Sequence, residues 1–229
     1  MKAIFTLDIA GDTTYLPCLQ SMNLYCKRYS IDYVVARTPK INFINVYFEK
    51  LQALNLFNLG YDQILCVDRD VMATPIAGNI FNYYNDPNFN YAFFENSFDE
   101  WMNRDPYINC LPIGFEWPKQ SNGKLRYFNS GVIIYGRNNI KFTKDIGTFD
   151  VPNNMLSFGE QTFLNYLFAR NNVPIMPLDY SFNRMDLGKE DTACDRYKAN
   201  FIHYAGPCKY GANKKEVIYS DYRTLYGTI

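Results

Sequence analysis

Apolar residues run along this chain in two alternating rhythms. Ala3-Ile4-Phe5-Thr6-Leu7 is a short, nearly continuous apolar run, and a polar Gly11-Asp12-Thr13-Thr14 stretch follows it. Leu16, Leu19, Met22 and Cys26 recur at spacings of three and four, which predicts a helix over residues 14–28. Ile31 to Ala36 reads as a second strand, closed by the Thr38-Pro39 break. Phe48, Leu51, Leu54 and Phe57 mark a second amphipathic helix that stops at Gly60. Ile64 to Val67 is uninterrupted apolar sequence, as expected of a strand covered on both faces of a parallel sheet. Strand, helix, strand, helix, strand is one half of a doubly wound α/β fold.

Beyond that the rhythm loosens. Tyr91 to Phe94 is a strand candidate, and residues 96–126 form a long irregular stretch rich in Asn, Pro, Trp and charge. A loop of that length in a compact domain is usually functional or hides a short helix. Val132 to Tyr135 predicts another strand, 158–170 a helix, and Val173 to Met176 and Phe201 to Tyr204 two more short strands. The tail from Lys214 onward shows no clear period. With 229 residues, 48% of them hydrophobic, one large domain with a sizeable core is expected.

Charge narrows the choice of partner. The 23 basic residues balance 23 acidic ones, and no basic tract exceeds Lys214-Lys215, so no nucleic-acid partner is expected. Cysteines 18, 26, 66, 110, 194 and 208 lack C-x-x-C spacing, which reads as a reduced, intracellular protein. The first apolar run is too short for a signal sequence, and no uncharged stretch reaches membrane-spanning length. A soluble cytoplasmic protein is the expectation.

Two distant segments carry candidate chemistry. Asp68-Arg69-Asp70 directly follows the Ile64–Val67 strand, at the sheet edge where α/β folds bind ligands. Two carboxylates so close repel, and need a cation or a proton between them unless they stand in a solvated loop. The only histidine, His203, ends the Phe201-Ile202-His203 run, with Gly206 and Lys209 after it. Glycine lets the backbone approach a bulky ligand, and lysine is a point charge for phosphate. Oxygen ligands plus one imidazole suit Mn²⁺ or Mg²⁺. Asn129-Ser130-Gly131 by itself reads as a tight turn into a strand, and Glu160-Gln161 as an exposed first helical turn. Trp101, Tyr107, Phe115 and Trp117 are either an acceptor platform or packing for the loop.

In ordered combination these segments resemble glycosyltransferase family 8, the glycogenin-like and bacterial galactosyltransferase group. Lys50, then Tyr61-Asp62-Gln63-Ile64-Leu65-Cys66-Val67-Asp68-Arg69-Asp70, is similar to the family's lysine and "Y-D-x-V-L-Y-L-D-x-D" strand. Phe128-Asn129-Ser130-Gly131-Val132 is similar to "F-N-S-G-V", and Glu160-Gln161-Thr162-Phe163-Leu164-Asn165 to "D-Q-x-x-L-N". His203-x-x-Gly206-x-x-Lys209 is similar to "H-x-x-G-x-x-K".

The resemblance implies a single GT-A-type domain over residues 1–229, a Rossmann-like mixed sheet flanked by helices. Residues 1–95 would be its nucleotide-binding half and 96–229 its sugar and acceptor half. It implies Mn²⁺ (or Mg²⁺) held by Asp68, Asp70 and His203, with Gly206 and Lys209 on the diphosphate. Thr6, Leu7, Asp8 and Tyr15 would cradle the base, and Asp68 would also reach the ribose. Lys50, Glu95, Asn129, Ser130, Glu160 and Gln161 would surround the sugar, with Glu160 and Gln161 at the reacting centre. The implied reaction is retaining transfer of a hexose from UDP-glucose or UDP-galactose to a glycan, protein or lipid. Four positions depart from the family pattern: Arg69 between the aspartates, Glu160 where aspartate is usual, and Tyr210-Gly211 after the lysine.

Two rival functions accompany this reading. A non-catalytic sugar-nucleotide or glycan-binding module would keep the metal site, and Glu160 favours it. Asp68-Arg69-Asp70-Val71 also fits the nucleophile motif of a haloacid-dehalogenase-type phosphatase. Against the phosphatase, two strands precede the motif, and Asp186 and Asp191 are expected to follow no strand.

Overall fold

The computed structural model describes residues 1–9, 11–41, 46–95, 116–119, 121, 123, 125–145, 159–185, 195–206 and 213–227. Lys209, Trp101, Tyr107, Phe115, Asp186, Asp191 and cysteines 110, 194 and 208 lie outside them. Six strands form the main sheet: β1 (Lys2–Leu7), β2 (Asp32–Ala36), β3 (Gln63–Val67), β5 (Asn90–Phe94), β6 (Phe128–Gly136) and β7 (Ile175–Pro177), in the order β2-β1-β3-β6-β5-β7. A second sheet pairs β4 (Val71–Ala73), β9 (Phe201–His203) and β8 (Arg184–Met185) in the order β4-β9-β8. The helices are α1 (Leu16–Tyr29), α2 (Ile80–Tyr83), α3 (Gly159–Arg170) and α4 (Lys214–Tyr226), with a long 3₁₀ helix at Val46–Leu59.

The mixed α/β architecture matches the expectation from sequence. β1 pairs in parallel with both β2 and β3, and β6 runs antiparallel to β3 and β5. Successive residues of each central strand supply opposite faces of the sheet. Ala3, Phe5, Ile64, Cys66, Ile133 and Tyr135 join the core under the 3₁₀ helix and α3. Ile4, Leu65, Val67, Val132 and Ile134 join the core under α1 and α2. Cys18, Cys26 and Cys66 are buried free thiols.

Local differences from the sequence pattern have physical causes. Leu16 is exposed, and α1 instead buries Cys18, Ser21, Met22, Tyr25 and Cys26. The Phe48-Leu51-Leu54-Phe57 spacing is three throughout, the repeat of a 3₁₀ helix, in which such side chains eclipse. The polar tail from Lys214 is a helix, α4, capped by Asn213, whose side chain accepts from Lys215 N. Its inner stripe was obscured because Asp221 interrupts it between Ile218 and Tyr222. That aspartate is buried because Tyr204 Oη donates to it at 2.6 Å, Tyr197 Oη at 3.0 Å, and Arg196 pairs with it. The strands β4 and β8 were too short to register as apolar runs. β8 ends at Met185, and Asp186 and Asp191, on which one ground against a phosphatase rested, lie outside the described residues. Trp117 is buried against Tyr127, with ring centroids 5.9 Å apart, so it packs the core.

Candidate active site

Strand directions bring four candidate segments to one edge of the main sheet. β1 and β3 end there, at Thr6-Leu7-Asp8 and at Asp68. β6 runs the other way, so its first residues, Phe128-Asn129-Ser130-Gly131, lie at the same edge, with Val132 opposite Val67. β5 ends there too, with Phe94 opposite Phe128 and Glu95 next.

The Asp68-Arg69-Asp70 turn links the two sheets. Asp68 N donates to Gly131 O at 2.8 Å, and Val71 N to Asp68 O at 3.1 Å. β4 then pairs with β9 in a register that sets Val71 opposite His203, and Tyr204 N donates to Asp70 O at 3.0 Å. One ligand atom each from Asp68, Asp70 and His203 lie within 4.8 Å of one another. His203 Nε2 is 3.5 Å from Asp70 Oδ1 and 3.8 Å from Asp68 Oδ2. The ring lies so close over Gly131 that a Cβ there would sit 2.1 Å from His203 Cε1. Glycine at 131 is therefore required by the imidazole, a reason the sequence did not reveal.

Beside this cluster is a buried polar layer. Lys50 Nζ, on the 3₁₀ helix, sits 2.6 Å from Asp68 Oδ1 and 2.7 Å from Glu160 Oε1. Ser130 Oγ also donates to Glu160 Oε1, at 2.6 Å. Gln161 Oε1 accepts from Ser130 N at 3.0 Å and Asn129 Nδ2 at 3.2 Å, and Gln161 Nε2 donates to Glu95 Oε1 at 3.2 Å. Asn165, one turn on, clamps α3 to β6, accepting from Phe128 N at 2.8 Å and donating to Phe128 O at 2.8 Å. Glu160 and Gln161 are buried rather than exposed on the first helical turn.

The electrostatics follow from this packing. Burial alone would lower the Lys50 ammonium, but Asp68 and Glu160 reverse that and hold it well above its ordinary value. Burial raises the Asp68 carboxyl, with Lys50 partly offsetting the rise. Burial would also raise Asp70, yet the His203 ring and the Lys214 ammonium outweigh it and bring the carboxyl down to about 2. Lys214 Nζ, in the first turn of α4, is 3.2 Å from Asp70 Oδ2.

At the end of β1, Thr6 Oγ1 and Asp8 Oδ1 are buried without hydrogen-bond partners among the described residues, while Asp8 Oδ2 lies 3.5 Å from Arg37 Nε. Leu7 is half-buried between them. The Arg69 guanidinium sits 4.4 Å from the centroid of the Tyr15 ring. Gly206 has φ of +67°, a left-handed conformation that favours glycine. Among the described residues, those expected at the site thus gather at one edge. Asn183 and Lys214 were missed: nothing marked Asn183, whereas Asn213-Lys214-Lys215-Glu216 carries a helix-start signature that would have placed Lys214.

The profile of the Glycosyl transferase family 8 matches residues 14–210. No curated protein sequence matches the chain. Among solved structures, the fold is similar to a glycosyltransferase involved in glycosylation of the major capsid of PBCV-1, at 14% identity and a TM-score of 0.60, covering 95% of this chain and 98% of that one. It is also similar to the galactosyltransferase LgtC, solved with donor and acceptor sugar analogues, at 17% identity and a TM-score of 0.57, covering 100% of this chain and 97% of that one. GlyE of Streptococcus pneumoniae is similar over 96% of this chain and 59% of its own, at 14% identity and a TM-score of 0.53. No helix among the described residues is long and apolar enough to cross a membrane. With the family profile spanning most of its length and its strands in the GT-A arrangement, the chain belongs to glycosyl transferase family 8 and is a glycosyltransferase.

Proposed function

We propose that this glycosyltransferase is metal-dependent and retaining, and moves a hexose from UDP-glucose or UDP-galactose to a glycan, protein or lipid acceptor. The observation that carries the reading is the convergence of Asp68, Asp70 and His203. Two carboxylates and one imidazole are a donor set suited to Mn²⁺ or Mg²⁺. When bound, such a cation neutralises charge on a departing nucleoside diphosphate.

The chain's own residues supply the rest. Thr6, Leu7, Asp8 and Tyr15 receive the base, for which the unpartnered Thr6 Oγ1 and Asp8 Oδ1 offer hydrogen-bonding capacity. Gly206 and Lys209 take the diphosphate. Lys50 holds Asp68 and Glu160 in place, and Glu160, Glu95, Asn129, Ser130 and Gln161 face the sugar. Lys50 and the groups facing the sugar are buried, so their dipoles and charges act in a poorly screened medium and need little reorganisation. Gln161 Oε1 already accepts hydrogen bonds from Asn129 and Ser130, which fixes its orientation beside Glu160 at the reacting centre. Residues 1–95 supply the base site and 96–229 most of the sugar and acceptor groups, with Lys50 and Glu95 reaching across to the sugar and His203, Gly206 and Lys209 to the cation and diphosphate.

UDP release measured with and without Mn²⁺ across a panel of UDP-sugars tests the proposal. The expected result is metal-dependent release with a hexose donor, abolished by Asp70→Ala. Tight binding of every donor with no turnover would instead support the non-catalytic module.

A further inference from the structure

The nitrogen that His203 presents to the aspartates is decided by a chain of hydrogen bonds starting on β6. Gly131 N–H donates to Asn129 Oδ1 at 2.9 Å, and Asn129 Nδ2 donates to Glu95 Oε1 at 2.8 Å. A backbone N–H can only donate, so the Gly131 contact fixes the oxygen end of the Asn129 amide and, with it, the Nδ2 end that donates to Glu95. Asn129 Oδ1 also lies 3.0 Å from the Asn183 amide, and an oxygen there demands that Asn183 turn its Nδ2 toward it. The other end of that amide, Oδ1, then faces His203 Nδ1 at 2.8 Å. A carbonyl oxygen only accepts, so Nδ1 carries the hydrogen. In the neutral ring the lone pair is left on Nε2, the nitrogen that faces Asp70 and Asp68.

We propose that Asn183 is a positioning residue for the cation site, relaying the fixed direction of the Gly131 N–H to His203 and locking the imidazole in the Nδ1–H form. The inference rests on the reading that Asp68, Asp70 and His203 hold a divalent cation. Free in water, a neutral histidine favours the hydrogen on Nε2, the form that cannot ligate through Nε2. The protein must supply the opposite bias. Asn183 and His203 are almost wholly buried, so water does not compete for either contact. β8 brings the relay to the site: Met185, two residues beyond Asn183, pairs with His203 in the β8–β9 register. Metal-bound histidines generally have their second nitrogen held in this way, and removing such partners weakens metal affinity by about 10–100-fold.

Having one histidine in these 229 residues makes the test direct, because in the ¹⁵N-histidine-labelled chain every imidazole signal is that of His203. Long-range ¹H–¹⁵N correlation of the metal-free wild type, with the ring neutral, should show the Nδ1–H form. Asn183→Leu should shift the ring toward Nε2–H and weaken Mn²⁺ binding, read by electron paramagnetic resonance of the free ion, by about 10–100-fold. Asn183→Asp, which still offers an oxygen to Nδ1–H but sets its second oxygen against Asn129 Oδ1, should restore the Nδ1–H signature in part, a rescue that a purely structural role would not give.

A wild type in the Nε2–H form overturns the proposal whatever the variants do. A folded Asn183→Leu protein with unchanged tautomer and Mn²⁺ affinity also overturns it. Failure of the wild type to bind any divalent cation would remove both the relay's purpose and the metal reading beneath it. Cation binding through Nε2 without donor turnover would sustain the relay while refuting UDP-sugar transfer.

Discussion

Replacing Lys50 with methionine tests whether the buried layer is organised around one ammonium. Lys50 Nζ contacts Asp68 Oδ1 at 2.6 Å and Glu160 Oε1 at 2.7 Å, and its side chain is only 7% exposed. Methionine keeps most of the volume and removes the charge, leaving two carboxylates facing each other. Breaking a buried ion pair from one side typically costs about 3–5 kcal/mol, because a charge is left desolvated and uncompensated. The Lys50 ammonium is held above its ordinary value, so its contribution is fully present below about pH 10.4 and lost only as pH rises beyond that. Across the neutral range the deficit of the variant therefore depends on the orphaned carboxylates, and shrinks as acid protonates them. Urea unfolding in a chelator, followed by circular dichroism, measures this. With an m-value of about 2–3 kcal/mol/M, the midpoint should fall by about 1–2 M at pH 8 and by less at pH 5. Adding Glu160→Gln should return part of the loss, since one charge disappears while the Ser130 hydrogen bond remains possible. A Lys50→Met midpoint close to wild type, or a double variant no more stable than the single one, would refute the reasoning.

Other perturbations probe separate links. Gly131→Ala should displace the His203 ring, because the new Cβ would stand 2.1 Å from Cε1, and abolish Mn²⁺-induced stabilisation in thermal unfolding. The Asp70 carboxyl is held at about 2, so its stabilisation is present above the unfolded value near 3.9 and is lost as pH falls toward 2. Asp70→Asn should flatten that acid limb by about 2 kcal/mol in metal-free unfolding curves. Lys214→Met should tighten Mn²⁺ binding several-fold without nucleotide, since the ammonium 3.2 Å from Asp70 Oδ2 competes with the cation, and calorimetry reads the change. Glu160→Asp matches the family's usual residue, yet should lower kcat by about 10-fold or more in the UDP-release assay. The shorter side chain surrenders contacts already made to Lys50 and Ser130.

The sequence carried the central strands β1, β3, β5 and β6 because they are nearly continuous apolar runs that are buried along most of their length. β3 is buried at every position and reads as such in Gln63-Ile64-Leu65-Cys66-Val67. It also carried Asp68, Asp70 and His203, because charged or imidazole groups at the ends of buried strands have few reasons to be there. Less visible were β4 and β8, of three and two residues, and α4, whose inner stripe contains an aspartate. Their stability comes from partners far along the chain, and local pattern cannot report on those.

Sequence by itself determined which groups were available: two aspartates, one histidine, a lysine, and a set of amides and carboxylates in family order. Only the tertiary structure decided how they act on one another. The pairing of β4 with β9 sets Asp70 beside His203, Gly131 makes room for the ring, and Asn183 orients it. Register and hydrogen-bond direction are properties of neighbours in space. A linear pattern records what each residue can donate or accept, and the fold fixes with whom.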